Sequence, residues 1–159
     1  MDEKDRLASS EVSSKREILE FKIDNVYYGI DIGRVKEILN VQSLTPLPRS
    51  DDRIEGIFIL RETVYTVINL ARIFNKSEEA NELYERFIVL KIGDMTIAFH
   101  VHEISGMSLI DVDNIKLPDK SVAGSANSLV KEIAHDKDKL VLLLDYDKIV
   151  SDMNPEYEG

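Results

Sequence analysis

Two histidines stand two positions apart in this chain, a spacing that some metal sites use. His100 lies in the alternating segment 95–101 and His102 follows it, so an extended strand would point both imidazoles to one face. No third ligand of fitting type is near in the sequence, and Thr96 and Ala98 share that face. The pattern therefore favours two solvated histidines, with a metal-dependent enzyme as the alternative.

Other residues that could do chemistry lack the context that the chemistry needs. The sequence DVDN at 111–114 begins like a calcium loop but lacks that loop's glycine and closing glutamate, so a turn or strand end is favoured. Ser125 has no nucleophile elbow around it, and the seven glycines do not gather into a phosphate-binding loop. No cysteine is present, which excludes thiolate chemistry. The sequence predicts a protein that is not an enzyme and needs no cofactor or metal.

Arg61 raises a different question, because it follows the apolar segment 56–60 and precedes the alternating segment 62–68. It is expected beside a hairpin connection, with its guanidinium open to solvent or to a partner. A salt bridge with Glu62 or another nearby acid is the alternative. Val35, Glu37 and Ile38 follow a predicted helical turn at 32–34, and periodicity alone leaves their role open.

The elements that must position these residues are mainly strands. Phe21 and Ile23 alternate with polar residues, as in a half-buried strand, and so do the apolar residues of segment 95–101. Two continuous apolar runs, FIVLKIG at 87–93 and KLVLLLD at 139–145, suit strands that are covered on both faces. Short helices are predicted after Asn69 and Asp145, which are placed to act as N-caps.

The strand pattern repeats along the chain. KIDNVYYGIDI from Lys22 aligns with KIGDMTIAFHV from Lys91, 69 positions further on, and VINLARIF aligns with LLDYDKIV at an offset of 76. The extra residues fall in or near the loop DKSVAGSANS at 119–128, and NKSEEANELYE at 75–85 links the two units. Each unit has about 65 residues and is best closed as a small β-barrel.

Composition limits the partners and the compartment. Thirty acidic against twenty basic residues give a net charge of −10, which opposes binding to nucleic acid or to an anionic membrane surface. The apolar fraction of 43% is typical of a globular protein. The first residues lack an apolar export segment and no run of about 18 apolar residues follows, so a cytoplasmic protein without membrane insertion is expected. Residues 1–17 and 152–159 are expected to form flexible tails.

The order of these motifs resembles the CheW family of bacterial chemotaxis coupling proteins. The segments that carry the resemblance are FKIDNVYYGIDIGRVKEIL, LTPLP and IEGIFILRETVYTVINLARIF, then FIVLKIGDMTIAFHVHEISGM and KLVLLLDYDKIV. The resemblance implies an all-β fold with short helices, built as two five-stranded SH3-like barrels in one domain at 18–151. It places one subdomain at about 18–75, with parts of the C-terminal segment able to pack on it, and the other at about 84–151.

The same resemblance implies a function and a set of contact residues. CheW-like proteins are non-enzymatic adaptors that join the regulatory domain of a CheA-type histidine kinase to the cytoplasmic tips of chemoreceptors. A protein of this kind is expected to be monomeric when alone and to be recruited to receptor arrays at the membrane. The matching positions are a receptor groove formed by Val35, Gly56, Ile57 and Arg61, and a kinase-binding edge formed by Glu37 and Ile38.

Departures from the family pattern occur beside Arg61. Ile59, Glu62 and Thr66 stand where the family commonly has asparagine, glycine and proline, and Glu132 stands near the place of a second glycine. A glutamate at a turn position that needs positive φ would cost around 1 kcal/mol, unless the turn changes type. A divergent module that serves another kinase pathway, such as surface motility or development, is therefore kept as an alternative. An oligonucleotide-binding barrel is disfavoured by the charge.

Overall fold

The computed structural model of this chain describes residues 14–119 and 126–153. Most of the predicted tails and residues 120–125, including Ser125, lie outside the described residues. The described part is mainly strand, which confirms the predicted all-β class. Its strands are β1 Lys15–Ile23, β2 Val26–Asp31, β3 Val35–Asn40, β4 Ile54–Leu60, β5 Thr63–Asn69, β6 Arg86–Ile92, β7 Met95–Val101, β8 Glu103–Asp111, β9 Ile115–Lys116, β10 Val130–Asp136 and β11 Lys139–Leu144.

One short α-helix follows the last strand of each repeat, as the sequence predicted. Helix α1 spans Leu70–Ile73, and the Asn69 side chain accepts a hydrogen bond from the Arg72 amide at 3.2 Å. Helix α2 spans Tyr146–Met153, and Asp145 accepts in the same way from the Lys148 amide at 3.2 Å. Both N-caps satisfy amide groups that the first helical turn would leave without a partner.

Three single 3-10 turns complete the described secondary structure, at Ile32–Arg34, Val112–Asn114 and Ala126–Leu129. The first is the helical turn that the sequence placed before β3. The second contains most of the DVDN motif, which confirms the strand-end interpretation of that motif.

The strands form two sheets. Sheet A has the order β8-β1-β2-β11-β10-β9, and sheet B has the order β3-β6-β7-β5-β4. Neighbours pair antiparallel except β2 with β11 and β5 with β7, which are parallel. The two parallel pairs stand at equivalent places, so the internal repeat of the sequence is also a repeat of topology.

Each sheet takes strands from both halves of the chain. The first hairpin, β1–β2, joins sheet A with strands of the second half, while β6–β7 joins sheet B with strands of the first half. The predicted subdomain ranges 18–75 and 84–151 therefore do not correspond to the two sheets. A repeat in the sequence is compatible with either arrangement, because it shows which strands are alike but not which strands pair.

Sheet A also has one strand more than the five predicted. The additional strand β9 pairs with β10 through Lys116 and Ile133. Sheet B has a shorter equivalent of this additional strand, a single antiparallel β-bridge between Thr45 and Ile57 of β4.

Apolar side chains form three clusters. Inside the barrel that sheet B forms, the buried cluster consists of Phe58, Tyr65, Val67, Phe87, Val89 and Ala98. Inside the barrel that sheet A forms, the buried cluster consists of Ile18, Ile110, Ala134, Val141 and Leu143. The largest cluster lies between the sheets and under both helices, and it includes Phe21, Tyr28, Leu90, Phe99 and Ile149. Burial of each large side chain contributes roughly 1.5–3 kcal/mol, so this shared cluster makes the two barrels one folded body.

The ordered body is longer than predicted at both ends. β1 begins at Lys15 rather than Ile18, because Lys15 and Arg16 pair with Asp111 and Ile110 of β8. Helix α2 continues to Met153, whose side chain is buried. The first three residues of β1 are all charged, so apolar periodicity does not show where the strand begins.

Candidate functional site

Five of the six predicted contact residues lie on β3 and β4, the two outermost strands of sheet B, and the sixth, Arg61, lies in the turn after β4. Glu37 of β3 and Arg61, which follows β4, meet where the sheet curls and its ends approach each other. Arg61 Nη2 donates to Glu37 Oε1 at 2.8 Å, and the Tyr65 hydroxyl donates to Glu37 Oε2 at 3.0 Å. The hydrogen bond that Arg61 donates to Glu37 raises the pKa of Arg61. The structure thus joins the predicted receptor and kinase sets through one ion pair, in which Arg61 uses an acid other than Glu62.

Strand β3 forms an edge of sheet B. Ile38 is 42% exposed there, whereas Val35 is partly buried and packs against the cluster between the sheets. The pairing of β3 with β6 shifts register between Val35 and Glu37, which marks a bulge at Lys36. Val35 therefore supports the edge from inside, and Ile38 is the residue available to a partner.

An apolar strip runs along the outer face of the β4–β5 hairpin. Ile59 faces Val64 and Ile57 faces Thr66 in the antiparallel register. Ile59 is 69% exposed and Val64 is 50% exposed, although both are large apolar residues on adjacent strands. We call Ile57, Ile59, Val64 and Thr66 the hairpin strip.

The hairpin strip leads into a cavity of about 240 Å³ between sheet B and helix α2. Its apolar lining residues are Ile54, Ile68, Met95, Ile97, Val150 and Met153, with Thr66 at the junction and Arg49, Ser50 and Asp51 also in its wall. Several of these side chains belong to the cluster between the sheets. The volume is below the roughly 300–1,000 Å³ of small-molecule sites and suits apolar side chains of a protein partner.

Gly56 allows a close approach of two backbone segments. It is buried at φ 155°, and a Cβ atom there would lie 2.7 Å from the Thr45 carbonyl oxygen. The close approach allows Thr45 and Ile57 to exchange backbone hydrogen bonds of 2.8 and 2.9 Å. Direct contact between a partner and Gly56, which the resemblance implied, is not supported by this placement.

The hairpin tip keeps its two-residue turn without glycine. Arg61 has φ 52° and Glu62 has φ 66°, both in the left-handed region that a type I′ turn requires. The predicted positive φ at Glu62 is thus present, and the turn has not changed type. Among the described residues no ion pair or hydrogen bond holds the exposed Glu62 side chain.

The prediction of two solvated histidines is wrong. His100 is 13% exposed, with Nδ1 2.6 Å from Glu55 Oε1 and Nε2 2.8 Å from Glu85 Oε1. Burial disfavours the imidazolium, but the two carboxylates outweigh that effect and raise the pKa of His100. His102 is buried, its Nδ1 accepts from the Asp24 amide at 2.8 Å, and desolvation lowers its pKa. The acids that surround His100 come from 45 and 15 residues away, so no local pattern revealed them.

Metal binding finds little support in this arrangement. Both ring nitrogens of His100 are engaged by carboxylates, and one nitrogen of His102 is engaged by the backbone. Within residues 14–119 and 126–153, no group of three or more histidine, aspartate and glutamate side chains could hold a metal ion. Across those residues there is likewise no helix long and apolar enough to cross a membrane.

An exposed strand edge with an apolar strip beside it is a feature of proteins that bind other proteins. The family model of the CheW-like domain matches residues 17–154. The chain belongs to the CheW-like domain family.

Named relatives agree with this assignment. The chain is 26% identical over 139 residues to the chemotaxis protein CheW of Treponema pallidum, covering 85% of this chain and 82% of that protein. It is 27% identical over 137 residues to CheW of Thermotoga maritima, with 86% and 89% covered. A crystal structure of the scaffolding protein TtCheW from Thermoanaerobacter tengcongensis matches with a TM-score of 0.76 and 26% identity, over 82% of this chain and 84% of that one.

Family membership confirms the predicted resemblance, the fold of two SH3-like subdomains and the class of function, a chemotaxis coupling scaffold. Of the departures from the family pattern, Glu62 takes a positive φ in the turn, and Thr66 pairs with Ile57 and Ile97 inside sheet B. Glu132 accepts bonds of 2.9 and 3.0 Å from Arg16, so an ion pair occupies the place near which a second glycine was expected.

Proposed function

We propose that this chain is a non-enzymatic adaptor that couples chemoreceptor tips to the regulatory domain of a CheA-type histidine kinase. The observation that carries the proposal is the hairpin strip, because it continues the cluster between the sheets onto the exposed surface. Exposed apolar surface that adjoins a core and is bordered by charged groups is typical of a protein-binding site.

The receptor is proposed to contact the hairpin strip and the cavity beside helix α2. Receptor tips are helical, and an amphipathic helix can seat apolar side chains in such a groove. Ile57 and Ile59 supply the apolar floor, and Arg61 supplies a guanidinium that Glu37 holds in place at 2.8 Å. Val35 and Gly56 contribute indirectly, through core packing and through the backbone bridge to Thr45.

The kinase is proposed to contact the β3 edge through Ile38 and Glu37. An edge strand offers unpaired backbone groups that a second barrel can meet, and an exposed apolar side chain adds contact area. Recruitment to receptor arrays at the membrane then follows from receptor binding, without any insertion of the chain itself.

Matched variants test the receptor contact. Val64→Asp places a charge on the hairpin strip, and Leu140→Asp places the same charge at the equivalent position of sheet A, which is 51% exposed. Titration against a receptor-tip fragment from the same organism is expected to show binding weakened at least tenfold by Val64→Asp but not by Leu140→Asp, because burying an unpaired carboxylate in a contact costs more than 1.4 kcal/mol. Equal effects, or none, would contradict the receptor site.

The alternative of another kinase pathway predicts a different outcome. A module that serves surface motility or development would bind its kinase, yet its deletion would leave swimming chemotaxis unchanged. Swimming assays of a deletion strain, complemented with the intact gene, separate these two roles.

A further inference from the structure

The equivalent ends of the two barrels carry the same three-residue arrangement with opposite charges. In sheet B the central residue is His100, near the end of β7, and it lies between Glu85 just before β6 and Glu55 of β4. In sheet A the residue 69 positions earlier than His100 is Asp31, at the end of β2, and it lies near Arg16 and Lys131.

The flanking residues correspond as closely as the central ones. Arg16 stands 69 positions before Glu85, and Lys131 stands 76 positions after Glu55, the two offsets that relate the halves of the chain. Glu55 and Lys131 also occupy equivalent register shifts in β4 and β10. In sheet A the distances are 3.0 Å from Arg16 Nη2 to Asp31 Oδ1 and 3.6 Å from Lys131 Nζ to Asp31 Oδ2.

The comparison of the two barrels indicates the charge of His100, the central residue of sheet B. An anion between two cations in one barrel corresponds to a base between two acids in the other, and only a protonated imidazole can donate to both carboxylates at once. We infer that His100 is a proton-controlled positioning residue, which as an imidazolium ties Glu85 of the inter-repeat linker to β4. In sheet A the same place is held by Asp31 with Arg16 and Lys131.

The other groups near His100 are consistent with this role. Asn69 lies beside it on β5 and donates to Glu55 Oε1 at 2.9 Å, while the Phe87 ring meets the imidazole edge to face at 5.3 Å. Arg72 is paired with Glu78 at 3.0 Å, so these two charges largely cancel. Glu82 and Arg86 line the same cavity of about 590 Å³ as His100, and His102 is a further titratable neighbour.

Loss of the proton should release Glu85 rather than Glu55. A neutral imidazole has one N–H and can donate to one carboxylate only. Glu55 keeps its bond from Asn69, whereas no second side chain bonds the Glu85 carboxylate within the described ranges. Glu85 immediately precedes β6, and Arg86 pairs with Asn40 at the end of β3. The linker wall of the cavity and the adjacent end of the β3–β6 ladder are therefore expected to loosen.

The pH dependence follows from the direction of the shift. The folded-state pKa of His100 is raised above its ordinary value of 6.5, because the carboxylates outweigh the effect of burial. The stability contributed by the His100 imidazolium, bonded to Glu55 and Glu85, is therefore fully present below about pH 6.5. It is lost as the pH rises through the folded-state pKa of His100. At acidic pH the relevant group is Glu55. Burial raises its pKa, but the hydrogen bonds from His100 and Asn69 outweigh burial and lower the pKa overall. The stability that the ionised Glu55 contributes is therefore lost as the pH falls through its folded pKa.

Two measurements on the full chain test whether protonated His100 links Glu85 to Glu55. The first follows the His100 ring resonance by NMR from about pH 5 to about pH 9 and gives the folded pKa directly. The second compares the unfolding equilibrium of the protein with that of His100→Gln over the same range. Each pKa unit of elevation above 6.5 is expected to appear as a tenfold loss of relative stability between the acidic and alkaline limits.

Matched controls keep the outcome specific. His135→Gln removes an exposed histidine of β10 and is expected to leave the pH profile as in the unaltered protein. Glu85→Gln is expected to lower the folded pKa of His100 while preserving the fold. Amide exchange at Leu83 and Tyr84, whose amides donate to Asn81, is expected to show linker opening above the folded pKa.

Either of two results would overturn the inference: a folded pKa of His100 at or below 6.5, or parallel stability profiles for the unaltered chain and His100→Gln. All of these readouts use the protein alone, so a failure of partner binding leaves them unaffected.

Discussion

At the scale of single residues, the hairpin tip shows a conformation that its side chains disfavour. Arg61 and Glu62 both lie at positive φ, where a residue with a Cβ atom pays roughly 1–2 kcal/mol. Local sequence predicted the position of the turn and the strain at Glu62. It did not identify Glu37 as the partner of Arg61, because the two residues are 24 positions apart and meet only when the sheet curls.

Glu62→Gly is expected to raise the free energy of unfolding by about 0.5–1 kcal/mol, since relief of the left-handed conformation exceeds the entropy that glycine loses on folding. Chemical denaturation measures the change. Asp138→Gly is the matched control at the equivalent hairpin position, where φ is not positive, and it should destabilise by about 0.5–1 kcal/mol instead. A destabilising Glu62→Gly would show that the tip carries no strain.

The histidines show where residue-scale prediction fails. Alternation along β7 placed His100 opposite the apolar residues, and a polar face was taken to be a solvated face. In a closed barrel the other face is the interior, and its ends are filled by polar side chains from distant strands. The sequence therefore located His100 correctly on its strand but could not show that Glu55 and Glu85 converge on it.

At the scale of elements, the edge of sheet B depends on one close backbone approach. The segment at Leu44 and Thr45 reaches β4 only because Gly56 has no side chain, as a Cβ atom there would lie 3.1 Å from Leu44 Cβ and 2.7 Å from Thr45 O. The resemblance identified the position as important, while the structure supplies the reason, which is packing within the barrel.

Gly56→Ala is expected to lower the free energy of unfolding by about 1–3 kcal/mol, because the added methyl group forces the 44–45 segment away from β4. Thermal or chemical unfolding measures this. Gly33→Ala is the control, since no heavy atom lies within 4 Å of a Cβ atom built at Gly33, and its effect should stay within about 0.5 kcal/mol. Similar losses for both variants would argue against the steric explanation.

At the scale of the whole molecule, the exchange of hairpins between the halves is the feature that the sequence could not predict. Repeat offsets, N-caps and strand positions were visible locally, and they gave the correct class of fold. Pairing between β2 and β11 joins residues 114 positions apart, and pairing between β5 and β7 joins residues 31 positions apart. Periodicity along the chain contains no information on such pairing.

Strand exchange predicts that neither half folds alone. Residues 1–80 lack the strands that flank β1–β2 in sheet A, and residues 81–159 lack those that flank β6–β7 in sheet B. Each fragment is expected to show no cooperative unfolding by circular dichroism, and an equimolar mixture is expected to recover strand signal. A fragment that unfolds cooperatively by itself would contradict the pairing described above.

The proposed function requires this chain to bind a receptor and a kinase at the same time, at two adjoining surfaces of sheet B that the Arg61–Glu37 ion pair joins. The most direct test is co-sedimentation or mass photometry of the intact chain with a receptor-tip fragment and the kinase regulatory domain of the same organism, each alone and then together. A ternary complex is expected, from which Val64→Asp removes the receptor fragment while the kinase domain stays bound. Mutually exclusive binding, or no binding of either partner at concentrations where the protein remains folded, would contradict it.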